Sequence, residues 1–274
     1  MFQIVILSFN HPDLTERTVK SALAHVVPSQ ILLVHNGSSL QNQSKLQDLF
    51  PDIQHLIVEE NQGFSGGANW GLRRAFQSPN SWVLFLTNDC QLEELGSPPS
   101  TPSLSAPLIW ARKKTMVDSL GGSFQINRAL LAHCKSEDDF YKNAGHAYVP
   151  GTAFWIHRDL FEHSGGFDES LGTYWEDVDL SIRLSQQGWH IGLSPETKVL
   201  HGIGKTCHKN SHYTTYLFQR NRKRVSLKHA ASLGAHRWRI YLALSSSWLR
   251  LFWIHARRKN LHKIQLLSRA ILDH

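Results

Sequence analysis

The chain has 274 residues, 41% of them hydrophobic and 19% charged, enough to close a full core and too apolar for disorder as its overall state. Lys and Arg outnumber Asp and Glu by 29 to 22, a net charge of +7 that points to anionic partners without choosing among phosphorylated small molecules, acidic lipid headgroups and nucleic acid. Cys90, Cys134 and Cys207 are widely spaced with no CxxC pair, which argues against a disulfide framework or a cysteine zinc site and fits a reducing compartment.

The opening MFQIVILSFN lacks a basic leader and reaches Asn10 too soon for a secretory signal, so Gln3 to Phe9 reads as a strand buried on both faces. Pro12 then opens a helix over Asp13 to Ala24. Ile31 to Val34 is a second strand ending at Asn36-Gly37-Ser38, Ser44 to Phe50 a second helix, and Ile53 to Val58 a third strand. Gly67 to Phe76 is a third helix, and Trp82 to Leu86 a fourth strand ending at Thr87-Asn88-Asp89. This alternation predicts an α/β fold with a doubly wound, mostly parallel sheet and right-handed crossovers. Ligands of such sheets bind at the carboxyl ends of the strands, where this sequence places Ser8 and Asn10, His35 and Asn36, Glu59 to Asn61, and Asn88 and Asp89.

Leu95 to Pro107, rich in Pro and Ser, reads as a connection between halves. Gly121-Gly122 and Glu137 to Gly145 read as loops, and Ala147 to Ile156 as a strand broken at Pro150-Gly151. A helix is predicted over Asp177 to Gln187, with Gly188 as its stop. Three further helices follow, over Arg220 to His229, Trp238 to Arg257 and His262 to Leu272. In the second of them Trp238, Tyr241, Leu242, Leu249, Phe252 and Trp253 interleave with arginines. Such a segment either packs its Trp side on the main domain, the more ordinary outcome, or lies on a membrane surface. No stretch of about 18 uncharged apolar residues occurs, so no spanning helix is expected.

Glu60 to Asn69, ENQGFSGGAN, is a glycine-rich turn opening a helix, and its amides and helix end suit an anion. Its spacing matches neither GxGxxG nor GxxxxGK[ST]. Asp89, at the end of a central strand, offers a hard oxygen to a divalent cation bridging a diphosphate, with a helix cap as the structural alternative. His201, after the apolar Val199-Leu200, is a candidate metal ligand from the far side. Glu176, Asp177 and Asp179 lie among Tyr174, Trp175 and Leu180. Carboxylates there must be paired, hydrogen-bonded, metal-bound or poised for proton transfer, or else cap the helix that follows.

The ordered segments SFN, VHNGS, ENQGFSGGANWG, FLTNDC, PGTAFWIHRDLFEHSGGFDE and WEDVDLSIRLSQQGW together resemble the inverting family 2 glycosyltransferases of GT-A fold, in particular the rhamnosyltransferase-like bacterial branch. The resemblance covers residues 2 to about 205. It implies a Rossmann-like GT-A domain over 1–205, with a nucleotide-binding half at 1–94 and an acceptor and catalytic half at 106–205, followed by a basic helical region at 206–274. By the same resemblance Ser8, Phe9 and Asn10, with His35 and Asn36, would line the nucleotide. Asn61, Gly67, Asn69 and Asn88 would border the sugar diphosphate, and Asp89 would hold Mg or Mn with His201 completing the shell. Gly151, Thr152 and Trp175 would shape the acceptor side, and Asp177 would be the base with Glu176 beside it. Two positions depart from the family: His35 stands where Asp is usual, and Thr87 replaces the first acid of the DxD-type motif.

The implied reaction is a single displacement, with inversion, at the anomeric carbon of a nucleotide-diphosphate sugar, moving a hexosyl or deoxyhexosyl unit to an acceptor hydroxyl. Lys205 or Lys209 could help neutralise the leaving diphosphate, and Phe154, Trp155, Tyr174 and Trp175 could form an aromatic floor. The setting would be synthesis of surface polysaccharide or glycolipid, in the cytoplasm or peripherally at the inner face of the membrane, on a saccharide or lipid-linked acceptor. Two rivals remain open from the residues: a nucleotidyltransferase that makes sugar nucleotides, which normally needs a basic glycine-rich loop absent at His11-Pro12-Asp13, and a non-catalytic basic binder of membrane or nucleic acid.

Overall fold

The structure, a computed structural model, describes residues 1–111, 116–142, 146–202 and 212–273. Lys205, Cys207 and Lys209 lie outside the described residues. The first half alternates β1 (Phe2–Ser8), α1 (Pro12–Leu23), β2 (Ile31–Asn36), α2 (Leu40–Leu49), β3 (Gln54–Val58), α3 (Gly63–Phe76) and β4 (Trp82–Thr87). These four strands are parallel, in spatial order β3-β2-β1-β4. The apolar runs form them because both faces are covered. Ile4 and Ile6 of β1 pack with Val19 and Ala22 of α1, while Val5 and Leu7 pack with Ala68 and Leu72 of α3. Helix α3 lies directly on the sheet, where a Cβ on Gly71 would come within 2.7 Å of Val5 Cγ1, so the glycines of this helix permit its approach.

The remainder is β5 (Cys90–Glu94), β6 (Ser103–Ala111), β7 (Val117–Ser119), β8 (Gly122–Gln125), β9 (Leu130–His133), α4 (Glu137–Lys142), β10 (Ala147–Tyr148), β11 (Ala153–His157), α5 (Arg158–Ser164), α6 (Glu176–Gln186) and β12 (His190–His201). Beyond β4 the sheet continues β11-β6-β12-β5 and becomes mixed, because β11 runs antiparallel to both neighbours and β5 antiparallel to β12. Strands β10, β8 and β9 form a separate antiparallel sheet. Three expectations are corrected here. The connection expected up to Pro107 instead yields β6, a central strand. Its Ser103 and Ser105 hide their polarity by bonding each other at 2.8 Å, and the register of β12 shifts just beyond the pairing of Pro107, which has no amide to give the ladder. Gly122 opens β8 rather than a loop. Glu137 to Lys142 is helical, with Glu137, Asp138 and Asp139 in a first turn that favours negative charge.

The chain closes with α7 (His212–Lys228), α8 (Arg237–Arg257) and α9 (Leu261–Leu272). One face of this region packs on the domain, since Val225, Ile240, Leu244, Trp248 and Leu267 share one core with Trp175, Val178 and Ile182 of the α6 region. Trp238, Tyr241, Leu242, Leu249 and Trp253, on the side expected to pack, are exposed. Polar anchors fix it. Arg222 donates to the carbonyls of Ala129 and Arg128 and to Ser247, and Lys223 donates to the carbonyls of Ile271 and Asp273. Asp179, one of the three clustered acids, is fully buried and accepts from Arg183, Lys228 and His229, each at 2.8 Å. It therefore joins α6 to α7 and takes no part in an open site. Burial alone would raise its pKa, but His229, Arg183 and Lys228 outweigh that and hold it below its ordinary 3.8.

A depressed carboxyl pKa stabilises the fold above the unfolded value and loses that contribution as pH falls through the folded one. Asp179→Asn should thus cost about 3 kcal/mol at neutral pH by taking the buried carboxylate away from Arg183, His229 and Lys228, of which Lys228 keeps Asp168. Urea unfolding at neutral pH and below about pH 4 checks this, since the deficit of the variant should shrink in acid. An equal deficit at both pH values would remove the ion cluster as its cause.

Candidate active site

The site is built around two adjacent peptide groups. The carbonyl of Thr152 accepts the Thr87 amide at 3.0 Å, while the Thr87 hydroxyl donates to Asp89 Oδ1 at 2.8 Å. On the other side, the Gly151 amide donates to Asp177 Oδ2 at 3.0 Å. The antiparallel placement of β11 beside β4 thus sets the acid at the end of β4 and the acid at the start of α6 on either side of Gly151–Thr152. Thr87, standing where an acid was expected, orients Asp89 through its hydroxyl.

Tyr174 and Trp175 precede these acids with φ of 72° and 71°, left-handed backbone that bulky residues adopt only under constraint. The constraint comes from α7. Asn221 Nδ2 donates to the carbonyls of Leu171, Thr173 and Tyr174 at 2.8, 2.9 and 2.8 Å, and Trp175 packs edge-on against Phe124 and Phe218. Trp175 is buried in that core, so its ring packs behind Glu176 and Asp177 and does not form the expected open surface. The aromatic floor does not form as expected: Phe154 and Trp155 alternate across β11 into opposite faces of the sheet and are both buried.

Asp177 is partly buried, and that burial raises its pKa against the lowering effect of the Gly151 and Val178 amides and of His133. Its Oδ1 accepts the Val178 amide at 2.8 Å, so the capping alternative is met in part while Oδ2 faces Gly151. Glu176 is buried, with Oε2 unpartnered among the described residues, and burial followed by the neighbouring Asp177 charge pushes its pKa well up. Burial thus raises both carboxyls, and Glu176, which has no amide donors from neighbouring residues like those of Asp177, is raised well above its ordinary value.

His201 ends β12 on the opposite side of Asp89, with Nε2 3.6 Å from Asp89 Oδ2. Its Nδ1 lies 3.2 Å from Asp118 Oδ2. Burial alone would lower the His201 pKa, but the Asp118 and Asp89 carboxylates raise it to about 9. Asp118, which the sequence did not single out, fixes the ring so that Nε2 faces Asp89, an outer-shell arrangement that suits a metal-binding imidazole. His133, at the end of β9, interacts electrostatically with Asp118, His201 and Asp177 and so links the two sides of the site. No three His, Cys, Asp or Glu side chains form a metal cage among the described residues. Asp89 and His201 fit a divalent ion that takes its other ligands from phosphate oxygens and water.

Ser8, Asn10 and Asn88 meet at one end of the sheet. Ser8 Oγ bonds Thr15 at 2.7 Å, Asn88 donates to Thr15 at 3.2 Å, and Asn10 accepts from the Ser39 amide. Phe9 beside them is 37% exposed, open to a flat ring. Other expected contacts are placed elsewhere. His35 is fully buried, pairs Nε2 with His55 Nδ1 at 3.0 Å, and has its pKa lowered by burial and then His55 to about 4. Asn36 holds the turn after β3 by donating to Asn61 Oδ1 and the Gly63 carbonyl and accepting the Gln62 amide. That turn offers fewer amides to an anion than expected, because those of Gly63, Phe64 and Ser65 go to Asn61, Thr173 and the Gly172 carbonyl. Gly67 admits Asn36, whose Nδ2 would lie 2.6 Å from a Cβ there. Asn69 is buried and bonds Phe167 and Glu169.

Residues 3–97, which carry Asp89 and the strand ends around it, match the family model described as Glycosyl transferase family 2. The match to that family covers the first four strands and the segment just beyond Asp89. The chain is 24% identical over 225 residues to the O-antigen biosynthesis protein RfbC of Myxococcus xanthus, a match covering 72% of this chain and 17% of that protein. It is 24% identical to the low-salt glycan biosynthesis hexosyltransferase Agl10 of Haloferax volcanii, covering 80% of this chain and 73% of that protein. Identity reaches 35% over 82 residues with the N-acetylglucosaminyl-diphospho-decaprenol L-rhamnosyltransferase of Mycobacterium tuberculosis, covering 27% of each. The chain thus spans less than a third of the first and third of these relatives and most of the second. Among solved structures, GalNAc-T7 with UDP, GalNAc and Mn2+ superposes with a TM-score of 0.64 at 16% identity, over 82% of this chain and 47% of that one. The mannosyltransferase PcManGT of Pyrobaculum calidifontis, in complex with GDP-Man and Mn2+, gives 0.54 at 14% identity, over 98% of this chain and 79% of that one. The fold is accordingly that of the GT-A glycosyltransferase structures.

A buried acid with a raised pKa weakens the fold as pH climbs from its unfolded value through the folded one. Glu176→Gln, which keeps the shape without the charge, should therefore equal wild type in stability near pH 5 and exceed it at about pH 8. Thermal melts at both pH values test this. A variant less stable than wild type at the higher pH would show that Glu176 is charged and paired there.

Proposed function

We propose that this protein transfers a sugar from a nucleotide-diphosphate donor to an acceptor hydroxyl, with inversion at the anomeric carbon. The observation that carries the reading is the chain of hydrogen bonds that runs from Asp89 through Thr87, Thr152 and Gly151 to Asp177 and so brings an acid for a diphosphate-bound cation near an acid able to serve as base. Asp177 accepts the proton of the acceptor hydroxyl as that oxygen attacks the anomeric carbon and the bond to the diphosphate breaks. Asp89 and His201 would hold a divalent cation, Mg or Mn, which neutralises the leaving diphosphate when bound. Both similar structures are complexes with Mn2+ and with a nucleotide or nucleotide sugar, which supports this assignment. Ser8, Phe9, Asn10 and Asn88 are proposed to receive the nucleotide. An O-antigen biosynthesis protein and a rhamnosyltransferase acting on N-acetylglucosaminyl-diphospho-decaprenol among the relatives support an acceptor in surface-glycan synthesis, carried on a lipid. The protein would then work at the inner face of a membrane through its C-terminal region.

Sugar nucleotides screened for thermal stabilisation, with and without Mn2+, test the donor assignment. A bound donor at 100 times its Kd adds about 2.7 kcal/mol. No stabilisation by any UDP-, GDP- or dTDP-sugar would refute it. Asp177→Asn should lower transfer by at least about a hundredfold while keeping donor stabilisation. Asp118→Asn should leave the fold intact and weaken the Mn2+ dependence of that stabilisation roughly tenfold, by releasing the His201 ring. Undiminished turnover in the first variant, or unchanged Mn2+ titration in the second, removes the respective role.

A further inference from the structure

Helix α8 buries one face on the domain through Ile240, Leu244 and Trp248 and leaves a second apolar face uncovered. Trp238, Leu242, Leu249 and Trp253 are 57%, 61%, 69% and 58% exposed. Positions 238, 242, 245, 249 and 253 are three or four apart, so they run as one line along the helix. Arg239, Arg250 and Arg257 run beside that line, spaced 11 and 7 residues apart. The guanidinium groups of Arg239 and Arg257 lie over the rings of Trp238 and Trp253, 5.3 and 4.1 Å from their centroids. An aromatic ring at an apolar boundary with a cation reaching past it is the side-chain arrangement of a membrane interface.

The charge around this face has one sign. Between Glu196 and Asp273 the sequence has no Asp or Glu and holds 16 of the 29 Lys and Arg, and Asp273 itself accepts from the Tyr216 hydroxyl. A second copy docking here would set arginine against arginine. A nucleic-acid backbone would satisfy the arginines and leave the Trp and Leu line in water. Lipid headgroups above an acyl layer answer both at once. No described helix is long and apolar enough to cross a membrane, so the helix lies along the surface.

We propose that the outer face of α8 docks this protein on an anionic lipid bilayer. Trp238, Leu249 and Trp253 enter the headgroup layer, and Arg239, Arg250 and Arg257 meet the lipid phosphates. This deepens the membrane contact in the proposed function and rests on that reading only for what the docked protein does. Because α8 packs on the core that carries Trp175 and Val178, docking would also fix the direction in which the acceptor site faces the bilayer.

The test is sedimentation of the full chain with phosphatidylcholine vesicles with and without phosphatidylglycerol. Wild type should partition to the anionic vesicles in a salt-sensitive manner. Arg239→Gln/Arg250→Gln/Arg257→Gln should bind them roughly a hundredfold more weakly, at about 1 kcal/mol for each basic residue. Trp238→Ser/Leu249→Ser/Trp253→Ser should lose roughly tenfold or more with every charge retained. Wild type indifferent to vesicles, or an apolar variant that still sediments like wild type, overturns the proposal. So does a dimer in light scattering that the apolar variant dissociates, or duplex DNA binding in place of vesicle binding. Stabilisation by a sugar nucleotide, measured on the same variants, keeps the two readings apart. If it persists while vesicle binding is absent from wild type, only the docking surface fails; if it is absent from wild type while vesicle binding follows the variants, only the transfer reaction fails.

Discussion

Two consecutive backbone groups, the Gly151 amide and the Thr152 carbonyl, tie the halves of the molecule together. One is a donor to the acid that begins α6, and the other an acceptor from the residue that orients the acid ending β4. Neither group carries a side chain that chemistry requires, and a backbone hydrogen bond is individually worth only about 1 kcal/mol. Their importance is geometric: they set where the Asp89 and Asp177 carboxylates stand relative to one another, the two groups to which the proposed reaction assigns metal binding and proton acceptance. Room for that segment is itself tight, since a Cβ on Gly151 would lie 2.9 Å from the Phe64 ring.

Around that hinge of contacts, polarity is sorted by burial. Four acids lie close in the chain or in space and meet different fates. Asp179 is bonded by Arg183, Lys228 and His229 and serves packing. Glu176 has no counter-charge and is pushed toward neutrality. Asp177 keeps two amide donors and partial exposure, and Asp118 is held below the ordinary carboxylate range by its bond to His201. The same functional group is thus held low by ion pairs at Asp179 and Asp118 and pushed up by burial at Glu176 and Asp177, with the surroundings deciding which.

The sequence makes the first four strands and their helices legible because their apolar runs are buried on both faces, and no tertiary knowledge is needed to see them. It conceals β6, where Ser103, Ser105 and Pro107 mimic a linker although the strand is central. Asp89, Asp177 and His201 stand out through their motifs and come together in space. Asp118, His133 and Asn221 do not, since each is a lone polar residue whose partners arrive from elements 47 to 83 positions away or from a different sheet. The reverse error arises at His35 and Asn69. Both sit where a ligand contact was expected, and both are taken up by neighbours that only the folded chain supplies.

Asn221 holds the carbonyls of Leu171, Thr173 and Tyr174 from a position 47 to 50 residues further along the chain. During synthesis the amino-terminal sheet can therefore assemble while the segment bearing Tyr174 and Trp175 still lacks the bonds that hold its left-handed turn. The backbone that carries Glu176 and Asp177 thus takes its final form only once α7 has been delivered by the ribosome.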